Sequence, residues 1–179
     1  MDRQDILKRL DQLDMEAFSS IDSSEMYQMV IVGGSGLVLL GKISRATNDI
    51  DALNISPEII DLLAKYDANA HVAAFTHYFA YNYEDRLEKL PVGGRKITFY
   101  TASLEDIVIA KLHSERDTDR QDIITESVIN SIDWKKLEYL ALDPGEAQAS
   151  ALNERIHKDF LYNYYEFVRR YGPHETTDV

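Results

Sequence analysis

Cysteine is absent from the 179 residues, which excludes disulfides and thiolate-held metals and makes a reducing, cytoplasmic compartment the expected one. There is also no run of eighteen apolar residues, so a membrane-spanning helix and a membrane partner are not expected. The first residues, MDRQDILKRLDQLD, are charged and amphipathic where a secretory leader would be basic and then apolar. Basic residues are scarce as well: 19 Lys+Arg stand against 31 Asp+Glu, a formal charge of −12. That balance repels polyanions at long range, so a nucleic-acid partner would need a local basic patch, while a cationic small molecule or a basic protein suits the bulk charge. The densest basic spots are only Lys135-Lys136 and Arg169-Arg170. Internal repeats and low-complexity segments are missing too. What remains, 45% hydrophobic and 28% charged residues, is the composition of a globular protein with one principal core.

Periodicity places the elements. Ile6, Leu7, Leu10 and Leu13 mark an amphipathic helix over 3–14, ended by the polar SSIDSSE. MYQMVIV is a buried strand, the glycines after it form a tight exit, LVLLGK is a short helix, and NDIDALNI alternates as a second strand. Ser56-Pro57 supplies an N-cap and first helical position for EIIDLLAKY. The aromatic-rich residues 71–91 suggest one or two strands, VGG a turn, and KITFYT a further strand. Helices are then expected from Ser103, with Asp106 as its acidic N3 residue, from a capping box at Thr118 and Gln121, and over DWKKLEYLAL. A last helix over 146–171 carries Leu152, Ile156, Phe160, Tyr164, Phe167 and Tyr171 on one face and stops at Gly172-Pro173. The chain therefore reads as mixed α/β for about its first hundred residues and helical afterwards.

The chemistry concentrates in GGSGLVLLGKISRATNDID, residues 33–51. Positions i and i+2 of a strand share a face, so Asp49 and Asp51 hold two carboxylates side by side while Ile50 turns inward. In an acidic protein the plain reading of such a pair is a solvated strand end. A hard divalent cation, Mg²⁺ or Mn²⁺, relieves the repulsion, since it takes oxygen ligands and is commonly held by one or two carboxylates plus substrate phosphates. Gly33 and Gly34 let the backbone approach a ligand closely, and Ser35 brings a hydroxyl to the start of a helix whose free N–H groups attract anions. Together these residues suggest a polyphosphate cradle beside a metal site.

A second cluster begins at Lys111, which shares a helical stripe with Leu104, Ile107 and Val108, where an unpaired ammonium is costly. It either snorkels to solvent or points into a cleft toward phosphate. Arg116, Asp119 and Asp122 follow it at plus five, plus eight and plus eleven. The five histidines show no paired metal spacing, so each is expected to pack or to sit at the surface, and the tyrosines at 162, 164 and 165 are expected to pack a helix.

A hydrophobic strand, Gly-Gly-Ser, thirteen intervening residues and Asp-Ile-Asp on another apolar strand resemble the signature of the nucleotidyltransferase-fold superfamily. LEDIVIAKLHSERDTDRQDI and the upstream YEDRLEKL resemble the AbiEii-like toxin branch and a related uncharacterised nucleotidyltransferase family; the likeness covers about residues 28–130. It implies a mixed sheet flanked by helices, with a nucleotidyltransferase-like domain over 1–132 and a helical extension over 133–179. In function it implies an Mg²⁺-dependent enzyme moving NMP from an NTP to tRNA or a protein, in a toxin–antitoxin or phage-defence setting with a cognate partner. By the same resemblance Asp49 and Asp51 hold the metal, Gly33, Gly34, Ser35, Arg45 and Arg116 hold the nucleotide, and Lys111 and Asp122 join the active site. One departure is that KITFYT lacks the third metal acid many members carry on a later strand, so Asp122 or a carboxylate of YED would replace it, or two acids suffice. The alternatives are a non-catalytic nucleotide- or partner-binding protein of the same fold and an aminoglycoside-type nucleotidyltransferase.

Overall fold

The computed structural model describes residues 1–145 and 153–173. Five strands, β1 (Tyr27–Ile31), β2 (Ile50–Leu53), β3 (Ala68–Asn69), β4 (Glu88–Gly93) and β5 (Ile97–Thr101), form one mixed sheet in the order β3-β2-β1-β5-β4. β1 runs parallel to β5 and antiparallel to β2, β2 is parallel to β3, and β4 returns antiparallel to β5. The helices α1 (Arg3–Ser20), α2 (Gly33–Leu39), α3 (Pro57–Leu63), α4 (Leu104–Leu112), α5 (Asp117–Ile123), α6 (Glu126–Ile129), α7 (Trp134–Leu142) and α8 (Glu154–Tyr171) flank this sheet. The architecture is the expected mixed α/β fold. No described helix is long and apolar enough to cross a membrane.

The sheet's two middle strands are buried almost throughout, with Met29, Val30, Ile31, Ile97 and Phe99 fully enclosed. Ile6, Leu10 and Leu13 of α1 are fully enclosed as well, and each such aliphatic side chain contributes about 2 kcal/mol of apolar burial. α1 also carries a carboxylate into the interior: Asp14 accepts N–H groups of Arg95, Lys96 and Ile97 at 3.0, 2.8 and 2.7 Å. Those donors lead into β5 and include its first residue, so the buried carboxylate is satisfied by backbone at the entry of that strand. On α8, Phe160, Tyr164 and Phe167 form the buried stripe that the spacing predicts. Its N-cap is Asn153; residues 146–152, including Leu152, lie outside the described residues, as does His174.

Several boundaries move. α1 runs on to Ser20, where Ser19 and Ser20 hydroxyls turn back to the carbonyls of Met15 and Glu16. Helix α2 begins at Gly33 itself, so the glycines are its first turn and not a loop before it. The segment His71–Tyr78, expected as strand from its aromatics, is 3-10 helix, and so is Tyr83–Arg86. Its aromatic side chains pack locally instead: Phe75 and His77 lie against Tyr78, which stacks on His113 at 5.0 Å. The capping box expected at Thr118 and Gln121 is replaced by Arg116 as the N-cap of α5, and a break at Ile124–Thr125 separates α5 from α6. The Ser103 cap is in place, with its Oγ accepting from the Asp106 N–H and donating to the Asp106 carboxylate.

Candidate active site

The order β2-β1-β5 puts three chain segments at one end of the sheet: the β1–α2 turn, the start of β2, and the loop from β5 into α4. Gly33 takes φ +62°, the left-handed region that favours glycine, and a Cβ there would lie 2.9 Å from Asp51 Oδ2. The backbone of the turn therefore touches the acid. Gly36 has the same small-residue requirement for a packing reason, since a Cβ would come within 2.9 Å of Ile107 on α4. Ser35 is buried; its Oγ donates to the Val32 carbonyl at 2.9 Å and accepts the Asp51 N–H at 3.3 Å. The hydroxyl thus ties the glycine turn to β2. Val32, the N-cap, offers no side-chain cap to the first turn of α2.

Asp49 stands just before β2 and is exposed, whereas Asp51 lies inside the strand and is half-buried. Their carboxylates meet at one group, the Asn69 amide, whose Nδ2 lies 3.1 Å from Asp49 Oδ2 and 3.2 Å from Asp51 Oδ1. Burial first, and then the neighbouring Asp49 charge, push the Asp51 carboxyl above the ordinary carboxylate range, against the pull of Asn69, Arg116 and Lys111. Arg116 and Lys111 are thus within electrostatic reach of Asp51, which brings the second cluster to the first.

That cluster is a closed ion network. Lys111 is buried, with 5% of its surface exposed; it neither snorkels to solvent nor stays unpaired. Its Nζ donates to Asp119 and, at 3.0 Å, to Asp122 Oδ2. Arg45 grips Asp122 in a two-pronged bridge, Nε to Oδ1 and Nη2 to Oδ2, both 2.6 Å. Burial alone would raise the Asp122 carboxyl, but the Arg45 and Lys111 bonds and charges outweigh it and hold Asp122 below the ordinary carboxylate range. Ser114 Oγ completes the set on Asp119 at 2.7 Å. Arg116 touches Asp119 only at 3.9 Å and keeps 76% of its side chain exposed.

Arg45 joins the two clusters: a Cβ on Gly34 would lie 3.1 Å from its Nη2, so the guanidinium covers the glycine turn while it binds Asp122. The fold gathers Gly33, Gly34, Ser35, Arg45, Asp49, Asp51, Lys111, Arg116 and Asp122 into one region. Of the carboxylates offered in place of a third metal acid, Asp122 is saturated by cations and Glu84 accepts Asn54 Nδ2 at 2.8 Å. Among the described residues no group of three His, Cys, Asp or Glu side chains is arranged to hold a metal. The two acids with a facing glycine turn nevertheless suit a hard cation completed by phosphate and water oxygens, and the Asn69 donor sits where positive charge relieves their repulsion. Sequence reasoning missed Asn69. The only signal for it was an asparagine on a short apolar stretch, and its meaning depends on the pairing of Asp51 with Asn69 across β2 and β3. His113 behaves as a packing group: it is stacked between Tyr78 and Phe160, and burial pushes it down to about 4.

No curated protein and no solved structure matches the chain significantly. A family model does, described as a nucleotidyltransferase of unknown function (DUF6036), over residues 8–172. That span includes most of α1 and all of α8, beyond the residues 28–130 that carry the motifs. With the glycine turn, the acid pair and the Lys111–Asp122 network all inside it, the chain belongs to this nucleotidyltransferase family.

Proposed function

We propose that the protein is an Mg²⁺-dependent nucleotidyltransferase of the AbiEii-like kind, which transfers NMP from an NTP to an RNA or protein acceptor. The observation that carries this reading is the contact between the Gly33 turn and Asp51, because it places uncapped backbone N–H groups next to a pair of acids. The N–H groups of the turn and the exposed Arg116 guanidinium bind the triphosphate, the one by its helix-start field and the other as a cation held only by a 3.9 Å contact to Asp119. Asp49 and Asp51 would hold the cation, which when bound would neutralise phosphate charge. In the reaction the acceptor hydroxyl oxygen bonds to the α-phosphorus, the α–β P–O bond breaks, pyrophosphate departs with the electron pair, and the hydroxyl proton passes to water.

Asp122 is not the base in this scheme. Both its oxygens are engaged and it is held below the ordinary carboxylate range, so its part is to fix Arg45 over the turn and to anchor the buried Lys111 ammonium by an ion pair. An RNA acceptor, tRNA in particular, and a toxin–antitoxin or phage-defence role follow from the likeness of the Lys111–Asp122 motif to the toxin branch. They also require a local basic face to overcome the −12 charge.

Labelled NTPs with Mg²⁺ and an RNA or protein pool should yield labelled acceptor, and Asp49→Ala combined with Asp51→Ala should abolish it. Transfer that survives this double change rejects the site. The missing third acid favours a second reading, a nucleotide-binding protein without turnover. Saturable NTP binding with no labelled product across all acceptor pools would select it.

A further inference from the structure

Asn69 belongs to no motif, carries no charge and lies on a two-residue strand, yet it is the only described side chain bonded to both acids. Its amide is fully committed. Oδ1 accepts the His71 N–H at 3.0 Å, which settles the orientation of the amide plane and turns both Nδ2 hydrogens toward Asp49 Oδ2 and Asp51 Oδ1. The remaining oxygens, Asp49 Oδ1 and Asp51 Oδ2, have no donor among the described residues, and Asp51 Oδ2 is the one that faces the Gly33 turn.

We infer that Asn69 is the positioning residue of the acid pair: it holds Asp49 Oδ2 and Asp51 Oδ1 on one amide and leaves the other oxygen of each acid, Asp51 Oδ2 beside the Gly33 turn among them, to take a divalent cation. This rests on the reading of the pair as a cation site. Without a shared donor, the two carboxylates repel, and the exposed Asp49 swings out into water. A lysine at this position would neutralise the pair and repel the cation, and an ionised aspartate could donate nothing. A neutral amide with two donor hydrogens is the side chain that draws the acids together while leaving their charge for the metal. Carboxylate ligands are commonly oriented by such outer partners, whose loss costs roughly 10–100-fold in metal affinity.

Mn²⁺ binding to the isolated full chain, followed by the electron paramagnetic resonance of the free ion and without nucleotide, tests this. Asn69→Ala should weaken Mn²⁺ binding roughly 10–100-fold with an unchanged melting temperature. Asn69→Gln, which keeps the amide on a longer stem, should recover part of the loss, whereas Asn69→Leu should not. Equal affinity in the wild type and Asn69→Ala, with binding lost in Asp49→Ala, overturns the positioning role and leaves the cation site standing. A wild-type chain that takes up no Mn²⁺ overturns both. If Asn69→Ala fails to fold, Asn69→Ser, too short to span both acids, replaces it and is expected to bind as weakly.

Discussion

The Gly33–Asp51 segment leaves two carboxylates facing each other across a neutral amide, whereas the Lys111–Asp122 segment surrounds its carboxylates with cations. The same side-chain type consequently meets opposite conditions a short distance apart: Asp51 is pushed up by burial and by Asp49, and Asp122, despite burial, is pulled down by Arg45 and Lys111. A saturated network is a structural anchor. An acid pair short of positive charge suits the proposed cation site, since a cation with phosphate would fill its deficit. The contrast separates the acids that cations already satisfy from the acids left to the proposed ligand, although both kinds stand in motifs that the sequence marks.

The largest effect should come from opening the closed network. Asp122→Ala leaves Arg45 without its partner and buried Lys111 with Asp119 alone, which should cost about 3 kcal/mol in urea unfolding, since breaking a buried pair strands its cation. A loss below about 1 kcal/mol would mean that the network is no anchor. Gly33→Ala comes next: a side chain at φ +62° with Asp51 Oδ2 2.9 Å from its Cβ should cost about 1–2 kcal/mol and displace the acid, weakening Mn²⁺ binding as well.

The two acids should also differ in the sign of their pH dependence. Asp51, raised in the fold, lowers stability at neutral pH, and that cost is relieved as pH falls through its folded value toward the unfolded one. Asp51→Asn should therefore be more stable than wild type at neutral pH, with the gap closing on acidification. Asp122, lowered in the fold, contributes stability that is present above the unfolded carboxylate value and lost as pH falls through its folded value. Asp122→Asn should accordingly lose stability at neutral pH and converge on wild type in acid; a gap of the same sign for both variants would erase the distinction. The smallest structural effect belongs to Arg116→Ala, whose exposed, 3.9 Å contact should change stability by less than about 0.5 kcal/mol. Its NTP affinity should nevertheless fall about tenfold if the guanidinium binds phosphate, at the scale of one charge-assisted hydrogen bond.

Much of this was open to reading from local pattern. The α1 stripe, the two central strands, the Ser103 cap and the α8 face follow from spacing alone, because burial repeats with the period of each element. Local pattern failed at His71–Tyr78, where β-forming residues take 3-10 turns and pack their rings on one another and on His113, because context overrides β-propensity. It failed again at Thr118, because Arg116 already begins the helix that carries Asp119 and Asp122 toward Lys111. The buried state of Lys111 was half legible: its place on an apolar stripe signalled a partner, and the motif supplied two acids at helical distance.

By itself the sequence determined the ingredients and their local geometry: a glycine turn after a buried strand, two acids one residue apart, and a lysine among aliphatics. Tertiary structure alone decided which acids are satisfied. Arg45 reaches Asp122 across 77 positions and Asn69 reaches Asp49 and Asp51 through the register of two strands. Charge pairing depends on distances of a few ångströms, and these exist only once the sheet has brought distant segments together.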